Sequence, residues 1–145
     1  VSFGEIDCRP SEGLITAASK LKLPIESLIC NTVEGYLNWF AKQNAQKNHS
    51  LYFFNLPAPV FNGYIAPKLN SDVAKTVREF NKAMEKYLKL HNFNVIDVYS
   101  VTSNKRGFSK KKYHIDDFDP SLDTIDKINF SKTERSSIDF SRKYV

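Results

Sequence analysis

Cysteine and glycine are scarce in this chain, and their scarcity excludes several kinds of protein. Two cysteines among 145 residues exclude a disulfide-rich scaffold and a zinc site built from four cysteines. The five glycines form no Gly-x-Ser-x-Gly motif and no glycine-rich loop that would bind a phosphate group or a dinucleotide. No His, Cys or carboxylate residues have the spacing of a metal site, so we expect neither a metal nor a cofactor.

Long apolar runs and a strong charge of one sign are also missing. No apolar run approaches the roughly 20 residues that cross a bilayer, and no secretory leader is visible, so we expect no membrane partner. Reduced thiols are the simplest interpretation of the two cysteines and favour a cytoplasmic location. The net charge of +5, from 21 basic and 16 acidic residues, falls well short of what nucleic-acid binding proteins carry, and we do not expect a nucleic-acid partner.

What the chain does contain is an alternation of strand-like and helix-like segments. Apolar residues recur at helical spacing in two long segments, and short β-prone runs are bounded by turn residues. The predicted order is a strand ending at Phe3, a weak helix over 13–22, a helix over 24–46, a strand over 51–54, a helix from residues 70–72, and a strand over 93–101. This order predicts an α/β fold in which a parallel sheet has helices on both faces, in three layers. We expect one domain over 1–130 and a polar tail over 131–145.

In such sheets a ligand binds beyond the carboxyl ends of the strands. That rule predicts that residues 4–9, 55–62 and 102–119 lie along one edge of the sheet, at one crevice. The candidate residues for substrate or oxyanion binding in the first two segments are Gly4, Glu5, Asp7, Arg9 and Asn62. A glycine after a strand permits a sharp turn, and an arginine can bind an anionic group. The alternative interpretation is a turn with a local Asp–Arg pair.

A second group of candidates follows residue 113. His114, Asp116 and Asp119 combine an imidazole with carboxylates, which is what general-base chemistry needs. The alternative is an acidic loop in which Asp119 caps a helix that starts at Pro120.

The segment 105–112 is basic. Its cations are Lys105, Arg106, Lys110, Lys111 and Lys112. A solvated surface loop is the favoured interpretation, and binding of phosphate or nucleic acid is the alternative.

Two of these segments resemble the site blocks of SGNH/GDSL hydrolases. The run Gly4-Glu5-Ile6-Asp7 after a strand is similar to the family's Gly-x-Asn-Asp block, and residues 116–119 stand where the family has Asp-x-x-His. The resemblance covers roughly residues 1–128. It implies a flavodoxin-like sheet and a small ester substrate, such as an acetyl ester of a carbohydrate. It also implies attack by a serine, Asp116 orienting a base, and Gly4 donating to the oxyanion.

The sequence departs from the family's pattern at three places. Ile6 replaces the Asn, Asp119 replaces the His, and no Gly-Asp-Ser block is present; His114 is the substitute candidate for the base. Three interpretations follow. The chain is a piece of an esterase whose serine lies upstream, or a degenerate member that binds a ligand or protein partner without catalysis, or it shares only the architecture and binds phosphate or nucleic acid. We expect an upstream domain or a partner chain to cover the first strand.

Overall fold

The computed structural model of this chain describes residues 3–4 and 6–110. Its elements, in chain order, are a 3-10 turn Ile6–Cys8, α1 Leu14–Leu21, α2 Ile25–Asn44, β1 Tyr52–Phe54, α3 Pro67–Leu90, β2 Asn94–Ile96 and α4 Val98–Thr102. The described part of the chain is therefore a mixed structure of helices and strands. The predictions made for residues 111–145 lie outside it.

The two strands form a small parallel sheet. Phe53 of β1 lies opposite Val95 of β2, and α3 connects the two strands, so the predicted strand–helix–strand unit is confirmed. A wider sheet in three layers stays a prediction, because the sheet has two strands within residues 3–4 and 6–110.

Successive residues of β1 contact two separate apolar clusters. Phe53 is completely buried in the larger cluster, which α2 and α3 supply in large part. Tyr52 and Phe54 pack in the smaller cluster with Ile96 and Val98. This alternation follows from the strand, in which neighbouring side chains point to opposite faces.

The helices form where apolar periodicity predicts them, with differences at their starts. The predicted helix over 24–46 is α2, and Pro24 immediately precedes it. The helix expected from residues 70–72 begins earlier, at Pro67, because a proline suits the first helical position, where its missing N–H is not needed. Asn70, a candidate cap residue in the sequence, instead lies in the first turn and is buried.

The strand predicted over 93–101 is much shorter than expected. It ends at Ile96 because Asp97 starts α4: its carboxylate accepts a hydrogen bond from the backbone N–H of Ser100 at 3.1 Å. The predicted first strand is not seen at Phe3, and Val1 and Ser2 lie outside the described residues.

Neither of the long helices, α2 and α3, nor any other helix in the described ranges, has the length and apolar character that crossing a membrane requires.

Candidate functional site

A cavity of about 410 Å³ lies between the chain that follows the 3-10 turn, the loop that follows β1, and the first half of α3. We call it the crevice. The first segment contributes Cys8 to Ser11, and the loop contributes Leu56 to Val60 together with Asn62. Parts of two of the segments predicted to share a crevice, 4–9 and 55–62, therefore do lie together.

The walls of the crevice are mainly apolar. Its aliphatic side chains come from the loop and from α3 and include Leu56, Val60, Ile65, Val73 and Val77. The polar side chains on its surface are Arg9, Ser11, Asn62 and Asn70. An apolar cavity with a few polar groups is the usual form of a small-molecule site.

Two of the predicted site residues, Arg9 and Asn62, line the crevice. Both are exposed at its edge, where they can contact the polar end of a ligand. Cys8 also lines it but is 4% exposed, so its side chain mainly packs in the core.

Gly4 does not line the crevice. Its φ is +98°, and a Cβ added to it would overlap with the Phe80 ring. Backbone conformation and close packing thus account for a glycine at this position. Its predicted contact with an oxyanion stays a prediction.

Asp7 is half-buried and is likewise not among the residues that line the crevice. Burial raises the pKa of its carboxyl group, and a hydrogen bond from its own backbone N–H opposes part of that effect. A carboxyl group with a raised pKa takes up a proton more readily than an exposed one.

The remaining predicted site residues are Glu5, His114, Asp116 and Asp119. They lie outside the described residues, and their roles stay predictions.

Two asparagines of α3, which sequence reasoning did not select as site residues, hold the loop of the crevice. Asn81 accepts from the backbone N–H of Leu56 at 2.8 Å and donates to its carbonyl oxygen at 2.9 Å. Asn70 bonds Asn62 in the same way, at 2.9 and 2.8 Å. Each side-chain amide thereby replaces the backbone partners that the loop lacks. Asparagine is unfavourable inside a helix, and that was the signal available in the sequence.

The side chain of Asn55, at the carboxyl end of β1, forms hydrogen bonds with residues that directly follow β2. Its Oδ1 accepts from the backbone N–H groups of Val98 and Tyr99, and its Nδ2 donates to Asp97 at 2.8 Å. Burial raises the pKa of Asp97, but hydrogen bonds from Asn55 and Ser100 outweigh it, so that this pKa lies below its ordinary value.

The third predicted segment also reaches the crevice loop. Ala58 donates its N–H to Oγ1 of the buried Thr102 at 3.0 Å, and Ser109 donates its N–H to the carbonyl oxygen of Pro59 at 2.8 Å. The chain between them turns back through a bridge of Ser103 with Ser109. We call residues 103–109 the basic hairpin, because Lys105 and Arg106 are exposed at its tip.

No cluster of three or more His, Cys, Asp or Glu side chains that could hold a metal ion occurs in the part of the chain that the structure describes. No protein-family model matches this chain, and no curated protein matches it either.

Proposed function

We propose that this chain forms the ester-binding part of a hydrolase of the SGNH/GDSL type, with its substrate in the crevice. The observation that carries the proposal is the crevice of about 410 Å³ between the turn that follows Gly4 and the loop that follows β1. Ligands of parallel α/β sheets bind beyond the carboxyl ends of the strands, and the loop after β1 leaves such an end.

The chemistry of the walls supports a small ester as the ligand. The aliphatic side chains suit an acyl group, because they bury apolar surface without leaving a polar group unpaired. Arg9 and Asn62 at the edge suit the ester oxygens or the hydroxyl groups of the alcohol part.

In this proposal the base is His114, and Asp116 orients it. A serine supplied by a segment outside this chain attacks the ester carbonyl, and His114 takes the serine proton and then gives it to the leaving alcohol oxygen. Water hydrolyses the acyl-enzyme in the same two proton transfers. The oxyanion donor that the resemblance implies is Gly4, which does not itself line the crevice, and Asp119 is the second carboxylate candidate beside the base.

We infer in addition that β1 and β2 belong to a wider parallel sheet with helices on both faces, and that the protein is cytoplasmic. The two apolar clusters on opposite sides of β1 support the first inference. The thiols of Cys8 and Cys30, which form no disulfide, support the second.

The test is hydrolysis of p-nitrophenyl acetate by the full-length protein. Asp116→Ala and His114→Ala should each lower kcat by about 100-fold or more, whereas Asp72→Ala, on the surface of α3, should leave it unchanged. Absence of hydrolysis by the wild type, or equal rates in all variants, contradicts the proposal.

A second candidate function is binding in the same crevice without hydrolysis. It is favoured by Ile6 and Asp119, which stand where the resembled family has Asn and His. In that case the protein binds an acetyl ester without turnover, and calorimetry detects the binding. Val73→Trp, which would fill the crevice, should abolish binding, whereas Leu90→Trp on the exposed end of α3 should not.

A further inference from the structure

A second cavity, of about 350 Å³, shares no lining residue with the crevice. Asn55 and Asp97, which directly follow β1 and β2, lie in its wall, so the cavity stands at the carboxyl ends of both strands. The side chains that α3 contributes to the wall are Arg78, Asn81, Lys82 and Glu85. Because parallel α/β sheets bind ligands beyond the carboxyl ends of their strands, the second cavity is a candidate binding site.

The charged side chains that α3 places in this wall differ in whether they have partners. Lys82 pairs with Glu79 at 2.9 Å, and Glu85 pairs with Lys89 at 2.7 Å. Among the described residues, no carboxylate lies within ion-pair distance of Arg78. A guanidinium group has five N–H donors and accepts no hydrogen bond. Arg78 is therefore the cation of the wall that can bind an anionic group of a ligand.

Tyr99, which also lines the second cavity, has a hydroxyl group without a partner. Its Oη is buried and has no hydrogen-bond partner in the part of the chain that the structure describes. A Cβ added to Gly107 would lie 3.1 Å from this oxygen and would overlap with the guanidinium group of Arg78, so the two groups lie close together beside Gly107. Because an arginine cannot accept a hydrogen bond, the O–H of Tyr99 still needs an acceptor.

Hydrogen bonds hold the tip of the basic hairpin beside these two groups. Gly107 is buried and has a φ of +82°, which glycine adopts readily, and its N–H donates to the carbonyl oxygen of Asn104 at 2.9 Å. Ser109 attaches the hairpin to Pro59. The side chain of Arg78, which is half-buried and has several rotatable bonds, is the part that can shift to let a ligand reach Oη of Tyr99.

We propose that the second cavity binds a small carboxylate, whose oxygens accept hydrogen bonds from the guanidinium group of Arg78 and the hydroxyl group of Tyr99. A carboxylate matches the planar fork of a guanidinium group, and it supplies the acceptor that the buried O–H lacks. Val95, which lines the cavity and is 41% exposed, suits a short apolar chain on the ligand. This binding site does not depend on the proposed hydrolase function.

The remaining charge in the wall favours a carboxylate over a phosphate. The carboxylate of Asp97 accepts from Nδ2 of Asn55 at 2.8 Å and from the N–H of Ser100 at 3.1 Å. Burial raises the pKa of Asp97, but these hydrogen bonds outweigh it and hold the pKa below its ordinary value, so this side chain is ionised at neutral pH. A phosphate group, with a charge of about −1.5 to −2, is repelled by Asp97 more strongly than a carboxylate with a single charge.

The experiment follows the backbone amide signals of the full-length protein by NMR at neutral pH while butyrate is added. Butyrate should shift the amide signals of Tyr99 and Gly107 until they saturate, which gives the Kd. Butyramide, which has the same shape without the charge, should cause no such shift, and inorganic phosphate should bind more weakly than butyrate. The amides of Ser11 and Val60, which line the crevice, should keep their positions.

Variants test the two donors separately. Arg78→Gln should raise the Kd for butyrate about tenfold or more, and Tyr99→Phe should raise it about fivefold. The matched controls are Lys86→Gln, which removes an exposed cation of α3, and Tyr36→Phe, which removes a hydroxyl from an exposed ring of α2. Both should leave the Kd unchanged. Arg78→Lys keeps the charge but loses the planar fork, so it should also raise the Kd, and it replaces Arg78→Gln if that variant fails to fold.

Thermal unfolding of the ligand-free variants provides a second measurement. Tyr99→Phe should not lower the Tm, because the hydroxyl group that it removes is buried without a partner. A clear fall in Tm would contradict the description of Tyr99 as a free donor. Equal Kd values for the wild type and the Arg78 variants, tighter binding of phosphate than of butyrate, or shifts confined to Ser11 and Val60 overturn the inference.

Discussion

Two independent constraints, backbone conformation and close packing, act on Gly4. Its backbone has a positive φ, and the Phe80 ring occupies the space that a side chain would need. Strain and steric overlap both act against any other residue at this position.

Gly4→Ala should therefore lower the free energy of unfolding by about 1–3 kcal/mol, as measured by urea denaturation. The matched control is Gly35→Ala in α2, where no atom beyond the adjoining residues and the helix's own backbone lies within 4 Å of the added Cβ. That change should raise stability by about 0.5–1 kcal/mol, because alanine is the better helix former. Equal effects of the two substitutions would contradict the close packing of Gly4 against the Phe80 ring.

Asp97 and Asp7 should make the stability of the protein depend on pH in opposite directions. The pKa of Asp97 lies below its ordinary value of 3.8, so its ionised form favours the fold. This contribution is present above that ordinary value and is lost as the pH falls through the lower folded-state pKa. The pKa of Asp7 is raised above 3.8, so its protonated form favours the fold, and that contribution is lost as the pH rises through the raised pKa.

Asp97→Asn should consequently reduce the loss of stability that the wild type shows in acid. Asp7→Asn should change the free energy of unfolding more favourably at neutral pH, where the wild-type carboxyl group is ionised, than in acid, where it is protonated. Thermal unfolding between about pH 2 and pH 7 measures both effects, because the two pKa values lie on either side of the ordinary carboxyl value. Parallel pH profiles for the two variants and the wild type would contradict the assignment.

At the scale of elements, α3 does more than cover the sheet. Two asparagines on this helix, Asn70 and Asn81, provide hydrogen bonds to both ends of the loop that forms one side of the crevice. An irregular loop keeps a defined shape when its backbone groups have such partners. The position of the crevice therefore depends on polar residues of a helix whose other buried side chains are mainly apolar.

Asn70→Ala and Asn81→Ala should each lower the free energy of unfolding by about 1–3 kcal/mol, because each leaves a backbone N–H and carbonyl of the loop without partners. Hydrogen exchange should accelerate most at the amides of Asn62 and Leu56, respectively. The control is Asn38→Ala on the exposed side of α2, which should not lower the free energy of unfolding, because alanine is the better helix former, and should leave exchange at the two loop amides unchanged. Unchanged exchange at the two loop amides would refute the role of these side chains.

At the scale of the whole molecule, Phe53 joins parts of the chain that are far apart in sequence. Its ring centroid lies 6.3 Å from that of Phe3, 5.3 Å from that of Phe40 and 5.3 Å from that of Phe93. These contacts connect the N-terminal segment, α2 and the residue before β2 through one completely buried ring.

Phe53→Ala should lower the free energy of unfolding by about 3–5 kcal/mol, the usual cost of removing a buried aromatic ring. Urea denaturation monitored by circular dichroism measures the loss. Tyr64→Ala is the control, because that ring is fully exposed and its removal leaves no cavity. A loss below about 1 kcal/mol for Phe53→Ala, which is far less than a core ring contributes, would contradict its central position.

The sequence by itself determined the main helices and the two strands. Helical spacing of apolar residues predicted α2 and most of α3, and short aromatic or β-branched runs predicted β1 and the start of β2. These signals are local, because a helix or strand is specified by residues within one or two turns of one another. The rule that ligands bind beyond the carboxyl ends of strands also predicted that residues near Arg9 and the loop up to Asn62 share one crevice.

Tertiary structure alone decided which polar residues hold that crevice in place. The bonds from Asn81 to Leu56 and from Asn55 to α4 join residues 25 to 44 positions apart, and no local pattern encodes such a partner. The same reason explains why Gly4 proved to be packed against Phe80. Where the strand expected through Val101 ends at Ile96, the local cap of Asp97 on Ser100 is joined by the distant side chain of Asn55, which accepts from Val98 and Tyr99. Local periodicity specifies the elements, whereas the contacts that satisfy buried polar groups exist only once distant elements have packed together.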